Sequence, residues 1–124
     1  MSNRVLIVED DPDVVGFLEA FLGVEGFEVE AAEDGLVGLL KIQSAPPDIA
    51  IVDVMMPDVD GVRVLEQLIE EGKGRLPVPV VVITGSPEGA ACCRVLLGHD
   101  DVIMKPFDPA VLLERIHAHL PVGG

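Results

Sequence analysis

Four groups of residues in this chain carry chemistry: Glu9-Asp10-Asp11, Asp53, Thr84 and Lys105. Asp53 directly follows Ile49, Ala50, Ile51 and Val52, a run that suits a strand buried on both faces. An ionised carboxylate in that position is costly unless a cation stands beside it. Alone, Asp53 could merely end a strand and cap the next turn, which is Met55, Met56, Pro57, Asp58, Asp60 and Gly61. Together the groups ask for more. Carboxylates that converge repel one another and bind protons more tightly. A hard divalent cation removes that repulsion, and Mg²⁺, which takes oxygen ligands and keeps waters, suits a site of few carboxylates. With a hydroxyl from Thr84 and an ammonium from Lys105, the set matches the needs of phosphoryl transfer, Asp53 being the nucleophile that forms an acyl phosphate.

These residues converge only if the elements carrying them are parallel. Arg4 to Val8 is an apolar run that stops at the acids. Pro12 then permits a helix from about Asp13 to Val24, with Val14, Leu18, Phe21 and Leu22 on one stripe. Phe27 to Ala32 alternates apolar and acidic residues, as an edge strand does. Asp34 can cap a second helix through about Ser44, predicted to turn Leu36, Leu39 and Leu40 inward.

After the central strand, Val62, Leu65, Leu68 and Ile69 mark a third helix ended by Gly72 and Gly74. Val78 to Thr84 is a β-branched strand, and Ser86 or Pro87 opens a helix through about Leu97. Asp101 to Met104 is a short strand, and Asp108-Pro109 starts a last helix with Leu112, Leu113, Ile116 and Leu120. Five strands alternating with five helices argue for an α/β doubly wound parallel sheet, whose ligands bind beyond the carboxyl ends of the strands.

The totals narrow the partners. The chain has 124 residues, enough for one domain, and its 49% hydrophobic content is ordinary for a folded protein. A net charge of -14, without any basic run, argues against contact with nucleic acid or anionic membranes. Cys92 and Cys93 are neighbours on a helix and point apart, so they are predicted to be two small buried or half-buried apolar residues. With no signal peptide or spanning segment, the expected setting is cytoplasmic.

In these residues the chain resembles the receiver domain of bacterial two-component response regulators. The likeness rests on Glu9-Asp10-Asp11, Asp53-Val54-Met55-Met56-Pro57 with Asp60-Gly61, Thr84, and Lys105-Pro106-Phe107. It implies a flavodoxin-like sheet of order 2-1-3-4-5, with residues 1–120 as the receiver domain and 121–124 as a tail or the start of a linker. It also implies Mg²⁺-dependent phosphorylation of Asp53 by a histidine kinase or phosphotransfer protein. The response it implies is a switch in the surface of the fourth helix, fifth strand and fifth helix, acting on an output domain, an effector protein or a second copy of the chain.

By the same resemblance Asp10, Asp53 and the backbone carbonyl of Met55 ligate Mg²⁺, Glu9 acts through water, and Asp11 has a weaker role at the rim. Thr84 and Lys105 hold the phosphoryl group, and the pull on Thr84 carries the signal. Two positions depart from the family: Val102 stands where an aromatic residue often turns inward with the Thr, and Gly85 replaces a common Ala. Two alternatives share some of these residues. A phosphatase of the haloacid dehalogenase type needs a second Asp two places after the nucleophile, where this chain has Met55, so no separate turnover substrate is expected. A pseudo-receiver would act by docking alone, which the intact acidic set speaks against.

Overall fold

The computed structural model describes residues 3–54 and 61–120. Along the chain run β1 (Arg4–Val8), α1 (Pro12–Val24), β2 (Glu28–Ala32), α2 (Gly35–Ser44), β3 (Ile49–Asp53), α3 (Gly61–Glu71), β4 (Val80–Thr84), α4 (Pro87–Leu97), β5 (Val102–Met104) and α5 (Pro109–His119). The strands form one sheet of order β2-β1-β3-β4-β5, and every pairing is parallel. The parallel sheet is the one expected from the alternation of elements, and its order is the flavodoxin-like one that the resemblance implies.

Alternation of side chains along the strands divides the interior in two. Leu6, Val8, Ala50, Val52, Val80 and Val82 pack with Leu39, Leu65, Leu68 and Ala90, on the side of α2, α3 and α4. On the other side Val5, Ile7, Ile49, Ile51, Val81 and Ile83 meet Leu18 and Leu22 of α1 and Leu112 and Ile116 of α5. Each large aliphatic side chain so buried contributes roughly 1.5–3 kcal/mol. The sheet therefore separates two cores, and its residues report to one or the other by parity.

The helices begin where their capping residues stand. Asp11 accepts the Asp13 N–H at 2.9 Å, Asp34 that of Val37 at 2.8 Å, Ser86 that of Gly89 at 3.0 Å and Asp108 that of Ala110 at 2.9 Å. Such a cap is worth about 1 kcal/mol. Pro lies in the first turn of α1, α4 and α5, where its missing N–H has no helical partner to lose.

Several expectations are corrected. In α2 the side chains of Leu36 and Leu40 are exposed, at 56% and 54%, and the buried face is Gly35, Gly38, Leu39 and Ile42. The reason is Gly38, which has no side chain to hold the helix off β1: a Cβ there would lie 2.7 Å from Cγ2 of Val8. β4 starts at Val80 rather than Val78, since Pro79 has no N–H for the ladder, although its carbonyl accepts the Ala50 N–H at 3.0 Å. Cys93 is buried, but Cys92 is exposed.

At one flank of the sheet, β2 exposes Glu28 and Glu30. Lys41 reaches from α2 to Glu30 at 3.2 Å and to the Ala31 carbonyl at 3.1 Å. At the other flank β5 is only three residues long. Asp101, expected to open β5, stands just before it. Its carbonyl accepts the Val82 N–H at 2.7 Å, while its carboxylate holds Arg115 of α5 at 3.0 Å and stands 2.9 Å from Nε2 of His119.

Candidate functional site

The acids gather where the two central strands end. Beyond β1 the Glu9 N–H donates to the Ala32 carbonyl at 3.0 Å, which fixes the start of the loop. β3 ends at Asp53, in register with Ile83 of β4. Carboxylate oxygens of Glu9, Asp10 and Asp53 all lie within 4.8 Å of one another. Glu9 and Asp53 are 1% and 2% exposed, whereas Asp10 is open to solvent.

Lys105 closes the group from the end of β5. Its main-chain N–H donates to the Thr84 carbonyl at 2.8 Å, and the peptide bond to Pro106 is cis. Its Nζ donates to Oε1 of Glu9 at 2.8 Å and to Oδ2 of Asp53 at 3.0 Å. The Lys105 contact with Glu9 is a detail within the expected convergence. It joins residues 96 apart in sequence, and no local pattern announces it.

These contacts set the protonation of the site. Burial pushes Glu9 up from 4.5 to about 8, reinforced by its hydrogen bond to Asp53 and by that residue's charge, and opposed by Lys105. For Lys105, burial works against the ammonium, but hydrogen bonds from Nζ to Glu9 and Asp53 outweigh it and raise the group above 10.5. Two buried carboxylates and one ammonium in contact titrate as a group, with proton binding strengthened at Glu9 and at Lys105. Oε2 of Glu9 is buried without a hydrogen-bond partner. A buried carboxylate oxygen left bare among three acids fits a divalent cation.

Thr84 is placed differently. Val82 belongs to the core beneath α2, α3 and α4, and Ile83 to the other, so the pleat returns Thr84 to the α4 side. The same parity sends Asp53 to the side of α1 and α5, after Ile49 and Ile51. Thr84 is fully buried, and its Oγ1 accepts the Ser86 N–H at 3.0 Å. Val102 is buried in the same core, its strand position opposite Val82.

The structure thus brings Glu9, Asp10, Asp53 and Lys105 together and turns Thr84 toward the start of α4. Asp11 serves α1 as its cap. The Met55 carbonyl, expected as a metal ligand, and the turn containing Asp58 and Asp60 lie outside the described residues, as do residues 121–124. Among the described residues, no helix is long and apolar enough to cross a membrane.

A five-stranded doubly wound sheet with clustered acids and a lysine at its carboxyl edge has its charged groups where ligands of such sheets bind. Residues 5–117 match the model of the response regulator receiver domain, and the chain belongs to that family. It is 39% identical over 120 residues to the transcriptional regulatory protein CseB of Streptomyces coelicolor, covering 96% of this chain and 50% of that protein. To the response regulator GtcR of Aneurinibacillus migulanus it is 36% identical over 121 residues, covering 97% and 48%. The chain spans about half the length of the curated relatives it matches.

Among solved structures, a CheY-like receiver domain protein of Methanospirillum hungatei superposes with a TM-score of 0.82 at 34% identity, covering 97% of this chain and 94% of that one. The response regulator TrrA of Thermotoga maritima, in complex with Mg²⁺-BeF, superposes with 0.82 at 26% identity, covering 96% and 99%. Receiver domains of this family are signalling modules, and phosphorylation and Mg²⁺ binding are typical of them. The phosphatase and docking-only alternatives are not favoured.

Proposed function

We propose that Asp53 accepts a phosphoryl group from the phosphohistidine of a histidine kinase or phosphotransfer protein. The observation that carries this reading is a nearly inaccessible Asp53 at the end of the central strand, bonded to Lys105 and within 4.8 Å of the Glu9 and Asp10 carboxylates. An Asp53 oxygen forms the new bond to phosphorus, the phosphorus–nitrogen bond breaks, and its electron pair stays on the imidazole. Lys105 neutralises charge on the transferred group, and Thr84 donates its hydroxyl proton once its side chain turns toward that group.

Asp10, Asp53 and Glu9 are the residues that would hold Mg²⁺, Glu9 through water, with the Met55 carbonyl completing the protein ligands. When bound, the ion supplies the positive charge that makes the acidic cluster receptive to a phosphate. That the similar protein TrrA was solved in complex with Mg²⁺-BeF supports Mg²⁺ as the ion. No separate substrate is turned over. The domain acts in the cytoplasm, the phosphorylated form changes its α4-β5-α5 surface around Thr84 and Val102, and this governs an output domain, an effector or pairing with a second copy.

The test is incubation with Mg²⁺ and acetyl phosphate, read by intact-mass spectrometry. One labile phosphoryl group is expected on the native chain and none on Asp53→Asn. An adduct that persists in that variant would overturn Asp53 as the acceptor.

A further inference from the structure

The edge of the sheet opposite the acids, where β4 begins at Val80, holds a cavity of about 360 Å³ among the last turns of α3, α4 and α5. Sites for small molecules in proteins run from roughly 300 to 1,000 Å³. The walls are apolar: Ile69, Leu76, Val80, Leu96 and Leu97 line the space, and Val95, 86% exposed, stands at its mouth. An apolar body that covers this aliphatic surface is favoured by the water it releases.

The main chain around the cavity is already engaged. The Ile69 carbonyl accepts the Gly74 N–H at 2.8 Å, that of Pro79 the Ala50 N–H at 3.0 Å and that of Asp101 the Val82 N–H at 2.7 Å. Two side chains in the lining keep unused capacity, Asp101 and His119. Oδ1 of Asp101 takes both Nε and Nη2 of Arg115 and stands 2.9 Å from Nε2 of His119, while among the described residues Oδ2 accepts no hydrogen bond. A carboxylate can only accept, so its contact assigns the ring proton of His119 to Nε2, and in the neutral ring Nδ1 keeps a lone pair. The polar atoms left over are thus acceptors, and they call for a ligand that donates. An ammonium group does so and is drawn by a net charge of -14, which repels a carboxylate of the same size.

We infer that this cavity is a binding site for a small apolar amine, with the ammonium on Asp101 and the hydrocarbon body among the side chains of α3 and α4. Arg115 is engaged at Oδ1 and leaves Oδ2 to this second donor. The site is independent of the phosphoacceptor reading, since β4 runs from Val80 in the cavity to Thr84 at the other edge of the sheet. Occupancy ties the last turn of α4, through Leu96 and Leu97, to the end of α5 at His119. An amine is thereby a second input to the two helices.

The test titrates benzylammonium into the whole chain and follows the backbone amides by NMR, with benzoate, which carries the same ring and the opposite charge, as the second probe. The expected result is a saturable shift at Leu76, Val80, Leu97 and Asp101, with benzoate weaker by about tenfold or more, the factor carried by a hydrogen bond to a charged group. Asp101→Asn keeps the shape of the side chain and removes its charge, and it should weaken benzylammonium by a similar factor. Where that variant does not fold, the two probes on the native chain decide the matter alone. No saturation at these amides, shifts centred on Glu9 and Asp53 instead, equal binding of benzoate, or an affinity unchanged in folded Asp101→Asn each overturns the amine site.

Discussion

Without a divalent cation, the stability of this protein should fall as pH rises from about 5 to about 9, and Mg²⁺ should flatten that slope. The perturbation acts on Glu9, whose folded form binds its proton up to about pH 8 against 4.5 for the ordinary side chain. Between those values the folded chain holds more protons than the unfolded one, so each increment of pH favours unfolding. The stabilisation is fully present below 4.5 and lost as pH passes through the folded value. At roughly 1.4 kcal/mol per unit the shift amounts to on the order of 4–5 kcal/mol, a large share of the ~5–15 kcal/mol that holds a domain folded. Its origin is burial: the Glu9 side chain is 0% exposed beside Asp53.

The measurement is urea unfolding followed by far-UV circular dichroism, since the chain has neither Trp nor Tyr for fluorescence. In chelator the midpoint should drop across the window. In millimolar Mg²⁺ the ion's charge replaces that of the proton, and the midpoint should change little. Glu9→Gln, which has nothing to titrate, should lose the slope in chelator. A native midpoint that stays level in chelator, or declines equally with and without Mg²⁺, would refute the electrostatic account of the cluster.

Two further outcomes follow from packing and from the end of α5. Gly38→Ala places a methyl group 2.7 and 2.9 Å from the two γ-carbons of Val8. The strain of about 1–3 kcal/mol should exceed the ~1 kcal/mol gained in helix propensity, and thermal denaturation should show a lower midpoint. Asp101→Ala removes the acceptor of the Arg115 guanidinium and the neighbour of His119. A loss of about 1–3 kcal/mol is expected in urea unfolding, with phosphorylation of Asp53 retained.

The sheet was legible because β1, β3 and β4 each carry four consecutive apolar residues, a pattern that suits a strand covered on both faces. The acids and Lys105 could be assigned to one rim because a parallel sheet sends all its strand ends the same way. What could not be read was the geometry decided by close approach or by parity. In α2, leucines advertise a buried face, yet the helix is seated by Gly38, which no hydrophobic pattern marks. The β-branched run places Thr84 at the end of β4, but its direction depends on which core Val82 and Ile83 enter, and that emerges only once the helices are docked. The grip of Asp101 on Arg115 and His119 joins residues 14 and 18 apart, from a strand approach to the far end of a helix, and leaves no signature in either segment.

The guarded flanks of the sheet bear on how the molecule meets other chains. Along β2 an arriving strand would find two glutamates and a lysine already occupying the Ala31 carbonyl, and along β5 too few residues to grip. Strand-on-strand polymerisation is thereby discouraged on both margins. Recognition is left to helix surfaces and loops, whose contacts can form and dissolve repeatedly without the chain being drawn into a fibre.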